Sequence, residues 1–585
     1  MATFQERFPI FLDEYFALHP TIATSIGDHR FDDRWPDVTD ASREARLAFC
    51  DRWVTELQGL GESDLSGDDA IDRDLIVMEL EGERFAETEL RDETWDAMTW
   101  IYLLGDGIFA LIARDFAPLA DRLASVAGRL EGLPAVIAGA KEALRGPGDG
   151  RPVGRFQTET AIEQLPGIAE LVDDALAEGN RAAPDDAAVA ALLPRLEAAG
   201  TAAKAALTDF EAHLRDDVLP RSEGEGRLGP ELFARKMRHT MRSETLTADG
   251  ILAAAEREFA AVRAEMVRLA RQLWPRWRRG APVPDDDATA VRGVLDAIAA
   301  EHPQAGELLD FCRAETTRIE AFCRERDLIG LADEPLDIRW TPTFLRAFGG
   351  AMLIPPGPLD KGQQAFFAIT PMPDDWSPER KESYLREDNA RMLRLLTIHE
   401  AVPGHYLQGV YANESESLPR AIFWSGVFAE GWAVYVTQVM MDVGYGTDDA
   451  ALLLTHWKFY LRAVTNAVID ARIHTAGMTE NEAVALMVDG GFQEEAEARA
   501  KYNRARLSST QLSTYFAGSV EMWDIELEAR RRAAAAAGKD PATIQPRGLP
   551  GGFGETPGFV YRPHLESVIR HGSPPTGLLR RILFE

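Results

Sequence analysis

Two histidines six residues apart, with a proline and a glycine between them, constrain this chain more than any other feature. They lie in Thr397-Ile398-His399-Glu400-Ala401-Val402-Pro403-Gly404-His405-Tyr406-Leu407-Gln408. Six residues turn an ideal helix through about 600°, so positions i and i+6 leave nearly opposite faces. The familiar His-Glu-x-x-His spacing, i and i+4, would share a face. Pro403 has no N–H and clashes with a carbonyl one turn back, while Gly404 accepts backbone geometries closed to other residues. The segment therefore reads as a helix with a bulge or wide turn that absorbs two residues and returns His405 to the side of His399. The alternative is a helix that ends at Val402, with His405 opening the next element and binding nothing.

The residue types point to metal chemistry. A second acid-bearing motif, Phe428-Ala429-Glu430-Gly431-Trp432-Ala433, follows about two dozen residues later. Two neutral imidazoles and a carboxylate are three ligands for a catalytic zinc, leaving a fourth position for water. Glu400, beside the first histidine, is the candidate base for that water's proton. Leu393, Leu395, Leu396 and Ile398 lead into His399, so the helix is expected to be apolar and buried.

The motif His-Glu-Ala-Val-Pro-Gly-His-Tyr-Leu-Gln resembles the signature of the bacterial domain-of-unknown-function family 885, a relative of the gluzincin metallopeptidases. Other segments match in order. Phe11-Leu12-Asp13-Glu14-Tyr15, His19-Pro20-Thr21 and Gly27-Asp28-His29-Arg30-Phe31-Asp32-Asp33 are similar to its N-terminal opening. Pro355-Pro356-Gly357-Pro358-Leu359-Asp360 with Phe366 to Pro371, Glu430-Gly431-Trp432-Ala433, and His571-Gly572-Ser573-Pro574-Pro575 resemble its later signatures. The resemblance implies a mainly α fold: a large helical, two-lobed metallopeptidase-like body with a small β-sheet beside the metal-binding helix. It also implies that Glu430, 25 residues beyond His405, is the third ligand. The other role open to Glu430 is to complement the helix dipole. One departure from the family pattern is Ser509-Thr510 before Gln511, where many members carry Pro-Gly.

Composition sets the remaining bounds. Three scattered cysteines, Cys50, Cys312 and Cys323, form neither a disulfide framework nor a metal cluster and read as buried thiols. The N-terminus lacks a basic leader and no run of ~18 apolar residues is evident, so a cytoplasmic location and no membrane partner are expected. The net charge of −32 argues against nucleic acid. Part of that acid could line the cleft and favour cationic peptides.

Residues 1–335 read as helices separated by Gly/Pro-rich breaks at 145–150, 220–226 and 280–285. This region is expected to form one cleft wall. Residues 336–585 are expected to hold the catalytic region. It opens with short apolar, Gly/Pro-bounded stretches at 337–342, 351–354 and 365–369 that read as strands. An edge strand there could hold an extended peptide, and Gly349-Gly350 would let it approach. Ser377-Pro378-Glu379 reads as a helix start.

The expected mechanism has Zn2+ on His399, His405 and Glu430 and proton transfer through Glu400. His474, oriented by Asp470, or Tyr515 would steady the oxyanion. Arg504 and Arg506 are candidates for a substrate carboxylate or for solvated helix charges; the roles of Arg472 and Gln511 stay open. His564 and His571 read as structural. Substrates would be short peptides or other small amides. The alternatives are a metal-dependent hydrolase of a non-peptide amide or ester, and a non-catalytic helical binding protein.

Overall fold

The computed structural model of the chain describes residues 3–61, 65–146, 148, 151–548 and 550–585. It is mainly helical, with one three-stranded sheet. Pro147, Asp149 and Gly150 of the first expected break lie outside the described residues, as do Met1 and Ala2.

The chain divides into two compact units. The first holds Met1–Arg227 with Thr341–Phe348 and Pro355–Ala365; the second holds Leu228–Trp340, Gly349–Ile354 and Phe366–Glu585. The change in sequence character near 336 thus falls inside the second unit.

In the first unit, the helix Phe4–Leu18 opens with a reciprocal cap between Thr3 and Glu6 and buries Phe4, Phe11 and Phe16. Phe11 meets Phe49 and Trp53 of the helix Asp40–Gln58. The helices Leu119–Ala143 and Ala187–His213 pack along each other. By length and composition Leu119–Ala143 could also cross a membrane, but half of its apolar stretch is buried within the protein, as in a core helix.

Two short segments return to this unit from far along the chain. Phe344 is fully buried against Gly105, where any side chain would overlap its ring. Leu359 donates its N–H to the Ile26 carbonyl at 2.9 Å, and Asp360 reaches His29 at 3.0 Å. Two motifs 331 residues apart in sequence therefore meet.

In the second unit, strands β1 (Leu336–Trp340), β2 (Ala351–Ile354) and β3 (Ala365–Ile369) lie in the order β1-β3-β2. β3 is central, and all five of its residues are buried. It pairs antiparallel with β2, from Ala351 opposite Ile369 to Ile354 opposite Phe366. β2 is thus an edge strand. Six helices build the candidate site: α1 (Ala390–Glu400), α2 (His405–Asn413), α3 (Gly426–Asp442), α4 (Ala450–Ala476), α5 (Glu495–Leu507) and α6 (Leu512–Ala536). The Ser377 side chain caps a helix with Pro378 at its first position, as its sequence predicts.

Candidate metal centre

The helix α1 ends at Glu400 and α2 begins at His405, so His405 does open a new element. The four residues between them still bring the rings together: the centroids of His399 and His405 are 4.7 Å apart and nearly perpendicular. Two backbone bonds explain how. Gly404 N–H donates to the Ile398 carbonyl at 3.0 Å, and Leu407 N–H to the Ala401 carbonyl at 3.3 Å. Both span six residues where a helix spans four, which accommodates the two extra residues. Gly404 is required, because a Cβ there would overlap the His399 carbonyl oxygen. The Trp432 indole of α3 donates to the Pro403 carbonyl at 2.9 Å and fixes the turn from the neighbouring helix.

Glu430 completes the group. It is the fifth residue of α3, past the first turn, so complementing the helix dipole is not its role. Its Oε2 lies 3.5 Å from His399 Nε2 and 3.3 Å from His405 Nε2. All three candidate ligand atoms fall within 4.8 Å of one another. Burial would raise the Glu430 carboxyl, but the two imidazoles outweigh it and hold the group well below the usual carboxylate range. Burial opposes charge on His405, and Glu430 reverses this, so its pKa rises. Glu400 is buried beside them, with Oε2 lacking a hydrogen-bond partner; burial raises its pKa against the pull of both histidines.

Neighbouring elements hold this group in place. Gln511 donates from Nε2 to Glu430 Oε1 at 3.2 Å and accepts from Arg504 at 3.1 Å. Arg504 also donates to the Tyr515 hydroxyl at 3.0 Å, and the Tyr515 ring lies parallel to His399 at 6.2 Å. Burial raises the Tyr515 phenol, against Arg504 and with Glu430. The helices α3 and α6 touch backbone to backbone at Gly431 and Gly518, where a side chain on either would overlap the other helix. Gln408, one turn after His405, donates to Ser573 at 2.6 Å, and Ser425, just before α3, donates its N–H to the Ser573 carbonyl at 2.8 Å. The C-terminal signature thus ties together the two elements that carry His405 and Glu430.

The structure places other candidates elsewhere. His474 Nε2 donates to the Ala505 carbonyl at 2.9 Å, and Nδ1 accepts from Leu228 N–H at 3.3 Å. With its one N–H committed and its ring stacked on Phe233, His474 has no donor for an oxyanion, which corrects the expectation from sequence. Asp470 does not orient it. That carboxylate instead accepts from Thr510 N–H, Ser513 N–H and the Ser513 hydroxyl, capping α6; burial pushes its pKa up to about 6. Thr510 sits at φ +71°, a left-handed conformation that suits glycine, at the position where the resemblance has one. Arg472 pairs with Glu256 on the surface, and Arg506 meets Asn503. His564 is buried and pushed down to about 3 by burial.

A cavity opens onto His399, Glu400 and Tyr515. Its wall carries Arg462, Lys501 and Arg504 beside Asp388, Glu400 and Glu497, so acids and cations line it in equal number. Sequence reading missed Lys501, whose i+4 spacing from Glu497 was the available signal, and His456, a neutral ring bound to Gln438.

Comparison with known proteins agrees over almost the whole length. Residues 20–542 match the family described as "Bacterial protein of unknown function (DUF885)". A solved protein from Shewanella oneidensis, described as a "putative lipoprotein of unknown function", is 31% identical over all of both chains, with a TM-score of 0.77. A "putative lipoprotein" from Colwellia psychrerythraea shares the fold at 15% identity, with a TM-score of 0.72 over 99% of this chain and 98% of that one. Among curated proteins, none matches the chain. Family match and full-length identity together make this chain a member of the DUF885 family of bacterial proteins.

Proposed function

We propose that the protein is a metal-dependent hydrolase of the gluzincin kind, a zinc peptidase acting on short peptides. The spacing around Glu430 Oε2 carries this reading. Ligands about 2.0–2.1 Å from a tetrahedral zinc stand about 3.3–3.4 Å from one another. The two imidazole nitrogens lie 3.3 and 3.5 Å from that oxygen, longer than good hydrogen bonds and matched to a shared cation. Glu430 Oε2 is buried without a hydrogen-bond partner, which suits a carboxylate oxygen that would hold a cation.

When bound, the cation would lower the pKa of a coordinated water towards ~7 and polarise the scissile carbonyl. The protein's own groups do the rest. Glu400 accepts the water's proton, aided by a burial that raises its basicity, and delivers it to the leaving amine. The Tyr515 hydroxyl accepts from Arg504 and so keeps its own proton for the developing oxyanion. Gln511 holds Glu430 in register.

Metal per chain, measured by mass spectrometry on wild type beside His405→Ala, tests the reading. About one zinc in wild type, lost in the variant, is expected. No metal in wild type after zinc is supplied would overturn it. Fractionation of the native host decides between a cytoplasmic location and the lipoprotein state described for the two neighbours.

A further inference from the structure

The helix α5 turns charged residues inward. Glu497, Lys501 and Arg504 stand at i, i+4 and i+7, one face of the helix, and that face lines the cavity beside His399 and Glu400. Charges on a helix this polar normally face water. The three are not used alike. Glu497 takes Arg462 at 2.7 Å and Lys501 at 3.4 Å, and Arg462 also lies 3.6 Å from Glu387. Arg504 donates to the neutral oxygens of Gln511 and Tyr515. Its guanidinium also lies against Gly349, where a Cβ would come within 3.0 Å of Nη1.

The wall carries Arg462, Lys501 and Arg504 beside the acids Asp388, Glu400 and Glu497. Glu497 answers Arg462 and Lys501, while Arg504 donates to Gln511 and Tyr515. A chain of net charge −32 thus gathers three cations around one cavity. Gly350 and Ala351, where edge strand β2 begins, line the same space. An extended main chain laid along that edge would end next to Arg504.

We propose that this wall is a carboxylate subsite: the cavity takes the carboxy-terminal end of a short peptide, with the free α-carboxylate on Arg504 and Lys501 beside it. Resting on the hydrolase reading, it further assigns the bond cut to the last or next-to-last of the chain. In that step water adds to the carbonyl carbon, the C–N bond breaks, and the amine leaves with the proton carried by Glu400. A guanidinium suits the task because its planar donors match a carboxylate two for two.

Calorimetric titration of the Glu400→Gln protein tests the subsite without turnover. The probes are N-acetyl-tetra-alanine with a free carboxylate and the same peptide as its carboxamide. The free acid is expected to bind at least about tenfold more tightly, the scale of a charged hydrogen-bonded contact. In the double variant Glu400→Gln/Arg504→Gln that preference should collapse to about threefold or less, with metal content unchanged. Equal binding of acid and amide, no binding of either, or a preference that survives Arg504→Gln in a folded protein would overturn the proposal. The acid and amide comparison needs no Arg504 variant to decide it. Cleavage of the amide by wild type as fast as the acid would remove the subsite and leave the hydrolase. Acid-selective binding by a protein that holds no metal would do the reverse.

Discussion

In the first unit, one imidazole sits between two carboxylates; in the second, one carboxylate sits between two imidazoles. His29 bonds Asp32 at 2.8 Å and Asp360 at 3.0 Å, and its ring stacks flat on Phe116 at 3.8 Å. Every polar atom of that ring has a partner at hydrogen-bond length, so the group is closed. Burial works against its charge, but Asp32 and Asp360 outweigh this and lift the pKa to about 9. Around Glu430 the separations are 3.3 and 3.5 Å, and buried atoms lack partners. The same kinds of side chain thus make a charged staple in one place and a candidate ligand set in the other. A few tenths of an ångström, set by packing, separate the two.

The largest expected effect lies beside the candidate ligand set. Glu400→Gln should cut peptide hydrolysis by about 10²–10⁴-fold while zinc content stays at the wild-type level. Near-normal turnover would remove Glu400 from the chemistry.

On the closed side, His29→Gln should leave metal untouched and cost stability on the order of 2–3 kcal/mol near pH 6. The folded pKa of about 9 exceeds the unfolded 6.5. The His29 contribution is therefore complete below about pH 6.5 and fades as pH rises through 9. Thermal melts at pH 6 and 9.5 should show the deficit of the variant shrinking at the higher pH. A deficit independent of pH would mean that the staple does not depend on charge.

Gly518→Ala tests what positions Glu430 in the candidate ligand set. It should lower stability by about 1–3 kcal/mol and weaken zinc retention, because the added methyl pushes α3 and Glu430 away from α6. Unchanged zinc affinity would show that Glu430 is positioned without that close approach. The smallest effect belongs to Thr510→Gly. Relief at φ +71° should raise stability by up to about 1 kcal/mol, offset in part by loss of the 2.7 Å contact from Thr510 to Thr240. A lower melting temperature would show that the hydroxyl contact matters more than the strain.

Local features were the most legible from sequence. The three strands appear close to where Gly and Pro bound them, and the Ser377-Pro378 helix start forms as its chemistry dictates. His399, Glu400, His405 and Glu430 come together in one place. His474 misled because a histidine on an apolar helix face carries the same local pattern whether it meets substrate or backbone. Only its partners, Ala505 and Leu228, distinguish the two. The role of Gln511 could not be read, since it depends on what α6 faces. For Arg504 the sequence left a substrate carboxylate and a solvated charge both open until its place in the cavity wall was known.

The sequence alone determined that the chain between His399 and His405 leaves regular helix, and that it does so through Pro403 and Gly404. Both follow from local covalent geometry: a missing N–H, a missing Cβ and a fixed number of residues per turn. Only the tertiary structure decided that the turn closes over six residues, that Glu430 reaches both imidazoles, and that Arg504 faces inward. These depend on Trp432 holding Pro403, on Gly431 meeting Gly518, and on Ser573 bracing Gln408 and Ser425. Each joins residues far apart in the chain, and their meeting depends on the shape of the whole core.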